Sequence, residues 1–161
     1  GEDVPILIAD TSDPASFAAL ATCARVVLSC AGLFRFHGHA VAAACATVGA
    51  DCLDISEEPG FMERVEAELH EPTARSGSLI VSACGFGFVP AEFGFLFHSR
   101  QWEWEPPFAP ATVEAYVSLQ STKRIVGNIG TYESAVLGVA NAGQLQALRR
   151  SRPRRPRPNV N

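Results

Sequence analysis

Arg25-Val26-Val27-Leu28-Ser29-Cys30-Ala31-Gly32 is the stretch on which the fold turns. Three apolar residues run into a Ser-Cys-Ala-Gly turn, and a helical pattern follows. A buried parallel strand delivers its carboxyl end to a ligand crevice in this way, in an open α/β sheet. Ser78-Leu79-Ile80-Val81-Ser82-Ala83-Cys84-Gly85 repeats the unit, and Val4 to Asp10 gives a version of it near the start. No glycine-rich phosphate loop opens the series, so the chain reads as a nucleotide-binding fold that begins after its own fingerprint.

Working outward, Val4–Asp10 is an apolar run ending in an acid and suits a buried strand. Ser12 or Asp13 serves as N-cap for a helix with Pro14 in its first turn. After Arg25–Cys30 comes a turn through Gly32 to Gly38. An alanine-rich helix then runs from His39 to Val48 and stops at Gly49. Asp51–Ile55 is the next strand, and Pro59 opens a helix with Phe61, Met62, Val65 and Leu69 on one face. Pro72 either ends that helix near His70 or kinks it. The strand Ser78–Cys84 follows, then a helix from about Pro90. Strand–helix alternation at this spacing predicts right-handed βαβ units in a parallel sheet.

Beyond Arg100 the texture changes. Residues 101–110 hold both tryptophans and three prolines and read as a boundary. Thr112–Leu119 alternates like an antiparallel strand, and Gly130–Leu148 reads as one helix. Arg149–Asn161, with prolines at 153, 156 and 158, reads as an extended, solvated tail. The predicted organisation is a partial dinucleotide-binding domain over 1–108, the start of a second α+β domain over 109–148, and an Arg/Pro-rich tail over 149–161.

The 161 residues are 47% hydrophobic and 19% charged, which describes a globular chain with a substantial core and excludes a disordered one. The formal charge of −4 conceals an asymmetry: six of the 13 basic residues lie at or beyond Arg149. An acidic body repels nucleic acid, which leaves only the tail to engage a polyanion. Five cysteines without CxxC spacing fit a reducing, intracellular compartment and not a disulfide framework. The apolar run Phe86–Phe97 is too short to span a membrane, and no signal peptide is visible.

Five segments, each weak alone, carry a resemblance when taken together at their separations. They are Asp10-Thr-Ser-Asp-Pro-Ala-Ser, Val27-Leu-Ser-Cys-Ala-Gly, Phe36-His-Gly-His, Asp54-Ile-Ser-Glu-Glu-Pro and Val81-Ser-Ala-Cys-Gly-Phe, with Gly130-Thr-Tyr-Glu-Ser beyond them. Together they resemble the saccharopine dehydrogenase-like oxidoreductases, the plant members most closely, over essentially the whole chain. The resemblance implies the later strands of a Rossmann sheet binding NAD(P), an α+β domain completing the site, and hydride transfer on an unidentified small-molecule or lipid substrate. It places Asp10 near the adenine. Cys30, Ala31 and Gly32 would approach the cofactor, and Gly85 and Phe86 would lie beside the nicotinamide half. It allows a homo-oligomer, and a mitochondrial, membrane-surface or lipid-droplet location.

The chain departs from the resembled pattern at three places. The first strand with its glycine-rich turn, and the second strand, have no counterpart. Gly-Phe-Asp-Ser-Ile-Pro becomes Gly85-Phe86-Gly87-Phe88-Val89-Pro90, and Gly-Glu-Pro becomes Glu57-Glu58-Pro59. With strand order 3-2-1-4-5-6, the absent strands are central. The expectation is therefore either Val4–Asp10 pairing directly beside Val26–Cys30, or a marginally stable fragment inactive on its own.

Competing readings are weighed residue by residue. His37-Gly-His39 reads as a turn and helix start, not a metal site, and the catalytic residues stay unassigned. Cys30 and Cys84 read as buried small hydrophobes before nucleophiles. The acids Asp51, Asp54, Glu57 and Glu58 read as solvated loop acids before general acid–base groups. Phe93–Phe97 reads as a core helix. A non-enzymatic interaction module is the alternative function. Nucleic-acid or anionic-membrane binding through the arginine tail is a weaker one.

Overall fold

A computed structural model describes residues 4–10, 13–101 and 113–152. Three short strands form one parallel sheet: β1 (Val26–Ser29), β2 (Asp51–Asp54) and β3 (Ile80–Val81), in the order β1-β2-β3. The register pairs Val27 with Cys52 and Cys52 with Ile80, so these three share a face with Ser29 and Asp54. Helices α1 (Pro14–Thr22), α2 (Phe34–Val48) and α3 (Pro59–Ser76) pack side by side, α2 against both neighbours. The fold is α/β, with later-strand Rossmann-like topology.

Only one face of the sheet is clothed. Val27 and Ile80 pack with Cys52 against Ala21, Cys45 and Ala50, whereas Val26 and Leu28 on the other face are 51% and 59% exposed. The expectation of strands buried on both sides is thus corrected: β1 alternates. Val4–Asp10 is corrected too, since it forms no strand among the described residues and Ile6 and Ile8 are almost fully exposed. It does not pair beside β1, whose register partners lie on β2 alone.

Helix boundaries follow local chemistry. The Asp13 carboxylate accepts from the Ala15 amide and caps α1, with Pro14 at the first position. Gly49 and Gly77 adopt φ of +81° and +75° and close α2 and α3, a conformation that costs glycine nothing. Pro72 lies inside α3, which runs on to Ser76. The start of α2 is earlier than predicted: the helix takes in Phe34 to Gly38, placing His37 and His39 on it and not in a turn.

The reason is packing. Phe34, Ala42, Phe61, Val65 and Leu69 form a cluster between α2 and α3, with Phe34 and Phe61 rings 5.7 Å apart. Gly38 is buried where a Cβ would lie 2.7 Å from the Phe61 ring, so glycine is what lets the two helices close. A second cluster holds Cys45 and Cys52. The neighbouring Cys45 thiol, together with burial, pushes the Cys52 thiol far up, which makes it an inert core group.

The later part differs most from expectation. Residues 113–120 form no strand and are exposed, correcting the predicted strand there, whose first residue, Thr112, lies outside the described residues. The single helix predicted over 130–148 is two: α5 (Ile129–Ala140) and α6 (Ala142–Ser151), broken at Asn141. The helix α4 (Val89–Arg100) buries none of its residues, so Phe93 and Phe97 are not core. The tail expected over 149–161 is corrected at its start, and its residues 153–161 lie outside the described residues. Arg149 belongs to α6 and donates from Nε to Glu63 at 2.9 and 3.1 Å, and Arg152 pairs with Glu66 at 3.0 Å.

Two tests follow from this packing. Gly38→Ala is expected to cost about 1–3 kcal/mol through overpacking against Phe61. Gly138→Ala on α5, where a Cβ meets nothing, should gain up to about 1 kcal/mol; urea unfolding of both checks the contrast. The hydrogen bond from Arg149, opposed by some desolvation, holds the Glu63 carboxyl below its usual range. The Arg149–Glu63 contribution to docking of α6 on α3 is therefore fully present above the ordinary glutamate value of about 4.3 and is lost as pH falls through the depressed one. Amide exchange of Leu145 and Leu148 across that window should report the loosening, and Glu63→Gln should reduce its pH dependence.

Candidate functional site at the strand ends

The carboxyl ends of the three strands converge on a cleft of about 460 Å³. Cys30 and Gly32 reach it from β1, Ile55, Glu57 and Glu58 from β2, and Gly85 and Phe86 from β3. The start of α5, with Asn128, Gly130, Thr131 and Ser134, forms the opposite wall. Of the residues assigned to a cofactor by resemblance, the structure brings together Cys30, Gly32, Gly85 and Phe86. Ala31, exposed in the turn between two of them, does not line the cleft, and neither does Asp10, which precedes α1. Cys30 is exposed and Cys84 half-buried, so neither is the buried hydrophobe expected.

Two carboxylates expected to be solvated are buried instead. Asp54 is 2% exposed and clasps the ends of β2 and β3: Oδ1 accepts from the Ser56 amide at 2.9 Å and the Ala83 amide at 3.3 Å, and Oδ2 accepts from the Ser82 hydroxyl at 2.7 Å. The Cys84 amide adds a bond of 2.7 Å to the Asp54 carbonyl. This clasp bends the chain after β3 sharply enough to hold Ala83 at φ +63°, a left-handed conformation that costs a non-glycine residue roughly 1–2 kcal/mol.

Glu58, 5% exposed, works across elements. Its Oε1 accepts from the Phe34 amide at 2.9 Å and from the Ser134 hydroxyl at 3.0 Å, while Oε2 accepts from the Arg35 amide at 3.0 Å. Leu33, at the N-cap of α2, offers no side-chain cap, so the carboxylate standing before α3 caps α2 instead. A charge-assisted cap of this kind also meets the positive end of the helix dipole. The missed signal was the pair Leu33-Phe34: a helix opening without a local Ser, Thr, Asp or Asn needs an acceptor from elsewhere.

Both departures near the strand ends meet in space. Glu57, where the resembled pattern has glycine, lays its carboxylate over Gly87, where that pattern has aspartate; a Cβ at 87 would collide with Glu57. Glu57 supplies a carboxylate to this corner from the β2 side. Gly87→Asp alone should therefore destabilise the chain through like-charge crowding, and Glu57→Gly should relieve it. A double-mutant cycle by urea unfolding is expected to give a coupling of about 1–3 kcal/mol; additive effects would contradict the contact.

The cleft suits part of a dinucleotide. Gly32 faces open space, with nothing within 4 Å of a Cβ placed on it, and a Cβ at Gly85 would press on Ile55 at 3.2 Å. Small strand-end residues of this kind admit a planar ring close to the backbone. The α2 amides that would favour an anion are already taken by Glu58. Among the described residues, no cluster of three or more His, Cys, Asp or Glu could hold a metal ion. No helix there is long and apolar enough to cross a membrane.

No family model matches the chain, and no solved structure does. Curated proteins do. The chain is 59% identical over 157 residues, 98% of its length, to the Arabidopsis thaliana protein named "Probable mitochondrial saccharopine dehydrogenase-like oxidoreductase". It is 34% identical over 159 residues, again 98% of its length, to the human saccharopine dehydrogenase-like oxidoreductase. It is 31% identical over 156 residues, 93% of its length, to a Caenorhabditis elegans protein named "Lipid droplet localized protein". The chain spans about a third of the length of these relatives, between 34% and 36%. Over the portion it spans, the chain is similar to proteins named saccharopine dehydrogenase-like oxidoreductases.

Proposed function

We propose that the strand-end cleft receives the nicotinamide half of NAD(P), as part of an oxidoreductase site that transfers hydride to or from an unidentified substrate. The convergence of Cys30, Gly32, Gly85 and Phe86 on one cleft supports this reading. The bound cofactor would accept or donate the hydride according to its redox state; the chain's own residues would shape the ring's seat. Glu57 and Glu58 line the cleft, and their charge favours a cationic oxidised ring over phosphate groups. Binding to this chain alone is accordingly weak, and the isolated chain is inactive. Asp10 takes no part in the half-site and remains assigned to the adenine by resemblance alone. Five free cysteines suit a reducing compartment; a mitochondrion and a lipid-droplet surface are the two locations its relatives' names point to.

A second reading is favoured by one observation. Glu58 occupies the α2 amides that face the cleft, which suits a chain that no longer binds a dinucleotide and serves as an interaction module. Titration with NADP⁺ and NADPH, followed by amide chemical shifts, separates the two. The oxidoreductase reading expects shifts at 30–32 and 85–86 saturating with Kd of roughly 0.1–1 mM, about −4 to −5.5 kcal/mol, with NADP⁺ the tighter ligand. Gly32→Leu should leave stability unchanged and weaken binding at least tenfold. Shifts absent from those two turns would favour the module.

A further inference from the structure

A second cavity, of about 640 Å³, lies between the first turns of α2 and α3 and the stretch from the end of α5 through α6. It shares no lining residue with the strand-end cleft. Leu137, Leu145 and Leu148 line it on the α5–α6 side together with Asn141 and Gln144, Arg35 lies on the α2 side, and Arg64 and Glu68 come from α3.

Arg35 is placed with care and left unpaired. The guanidinium lies over Gly60, where a Cβ would come within 3.2 Å of Nη2, so the glycine makes room for it. Its Nε is buried and hydrogen-bonded to nothing, and no carboxylate among the described residues pairs with it. The nearby acids are committed elsewhere. Glu58 accepts from the Phe34 and Arg35 amides and from Ser134, and Glu68 is held by Arg64 at 2.9 Å and by His39 at 2.8 Å. A half-buried guanidinium without a counter-charge is unfavourable. Its position in the first turn of α2 adds repulsion from the helix dipole.

We propose that this cavity is a binding site for an aliphatic carboxylate, its head on Arg35 and its chain against the α5–α6 leucines. One free positive charge matches a single negative one, and the planar guanidinium suits a carboxylate bidentately. Glu68, also lining the cavity, disfavours a dianion such as phosphate. Cavities of this volume enclose most of a small ligand's surface. The site stands or falls independently of nucleotide binding.

Octanoate, octan-1-ol and inorganic phosphate, titrated into the 161-residue chain and followed by calorimetry and amide shifts, test it. Octanoate should bind at least tenfold tighter than octanol, and phosphate should not bind. Shifts should centre on Arg35, Leu145 and Leu148. Arg35→Met should reduce octanoate to the level of octanol while raising Tm, because it removes an uncompensated charge; Arg35→Lys should restore part of the preference. Equal binding of octanoate and octanol would overturn the site, as would phosphate binding as tightly as octanoate, or shifts elsewhere. A lowered Tm in Arg35→Met would also overturn it, by showing that the guanidinium supports the fold.

Discussion

Burial of the Asp54 carboxylate is the constraint on which the strand-end architecture depends. A charge taken from water must be met by donors, and the three that meet it come from Ser56, Ser82 and Ala83. Two of those lie 28 and 29 residues away, in the turn after β3. Satisfying one carboxylate therefore fixes the distance between the ends of β2 and β3 and holds the turn 82–85 in shape. β3 has only two residues, too few for ladder bonds alone to define its end. The left-handed Ala83 fits this account, since a strained turn persists only where its surroundings over-determine it.

Glu58 extends the same logic to the helices. It stands four residues after Asp54 and immediately before α3, yet its oxygens cap α2 and accept from Ser134 on α5. Three elements that line the cleft are thereby tied through one side chain. Neither carboxylate is placed to move protons as the structure stands, because both are fully engaged as acceptors. They hold positions, and the open chemistry of the cleft falls to its exposed members, Glu57 and Cys30.

Elements with local signals were legible in the sequence. Asp13-Pro14 announced α1, Gly49 the end of α2, Pro59 the start of α3, and the apolar runs gave β1 and β2. What failed depended on partners far along the chain. Val4–Asp10 has the composition of a buried strand, but a strand exists only by pairing, and no strand among the described residues pairs with it. The alternation over 113–119 failed for the same reason. Asp54 and Glu58 were read as solvated because sequence shows an acid's neighbours and not its donors. Of the six residues that resemblance assigned to a cofactor, four line one cleft, since strand-end turns in a parallel sheet meet whatever their separation. Resemblance could not show that the Glu57 carboxylate lies over Gly87, which is visible only in three dimensions.

The charge asymmetry of the chain takes on a different meaning in three dimensions. Seven basic residues against seventeen acidic before Arg149, and six basic residues from there on, suggest two ends addressed to different partners. The structure turns part of that asymmetry inward. Helix α3 presents Glu63 and Glu66 on one stripe, three residues apart and hence on one face, and α6 meets them with Arg149 and Arg152 at the same spacing. Two of the six tail arginines are thus spent on holding α6 against α3, which weakens the argument for a freely available polycationic tail. The same docking sets the α6 leucines opposite Arg35 and so creates the second cavity. A sequence feature that pointed outward, to nucleic acid or a charged surface, acts first as the clamp that gives the interior its shape.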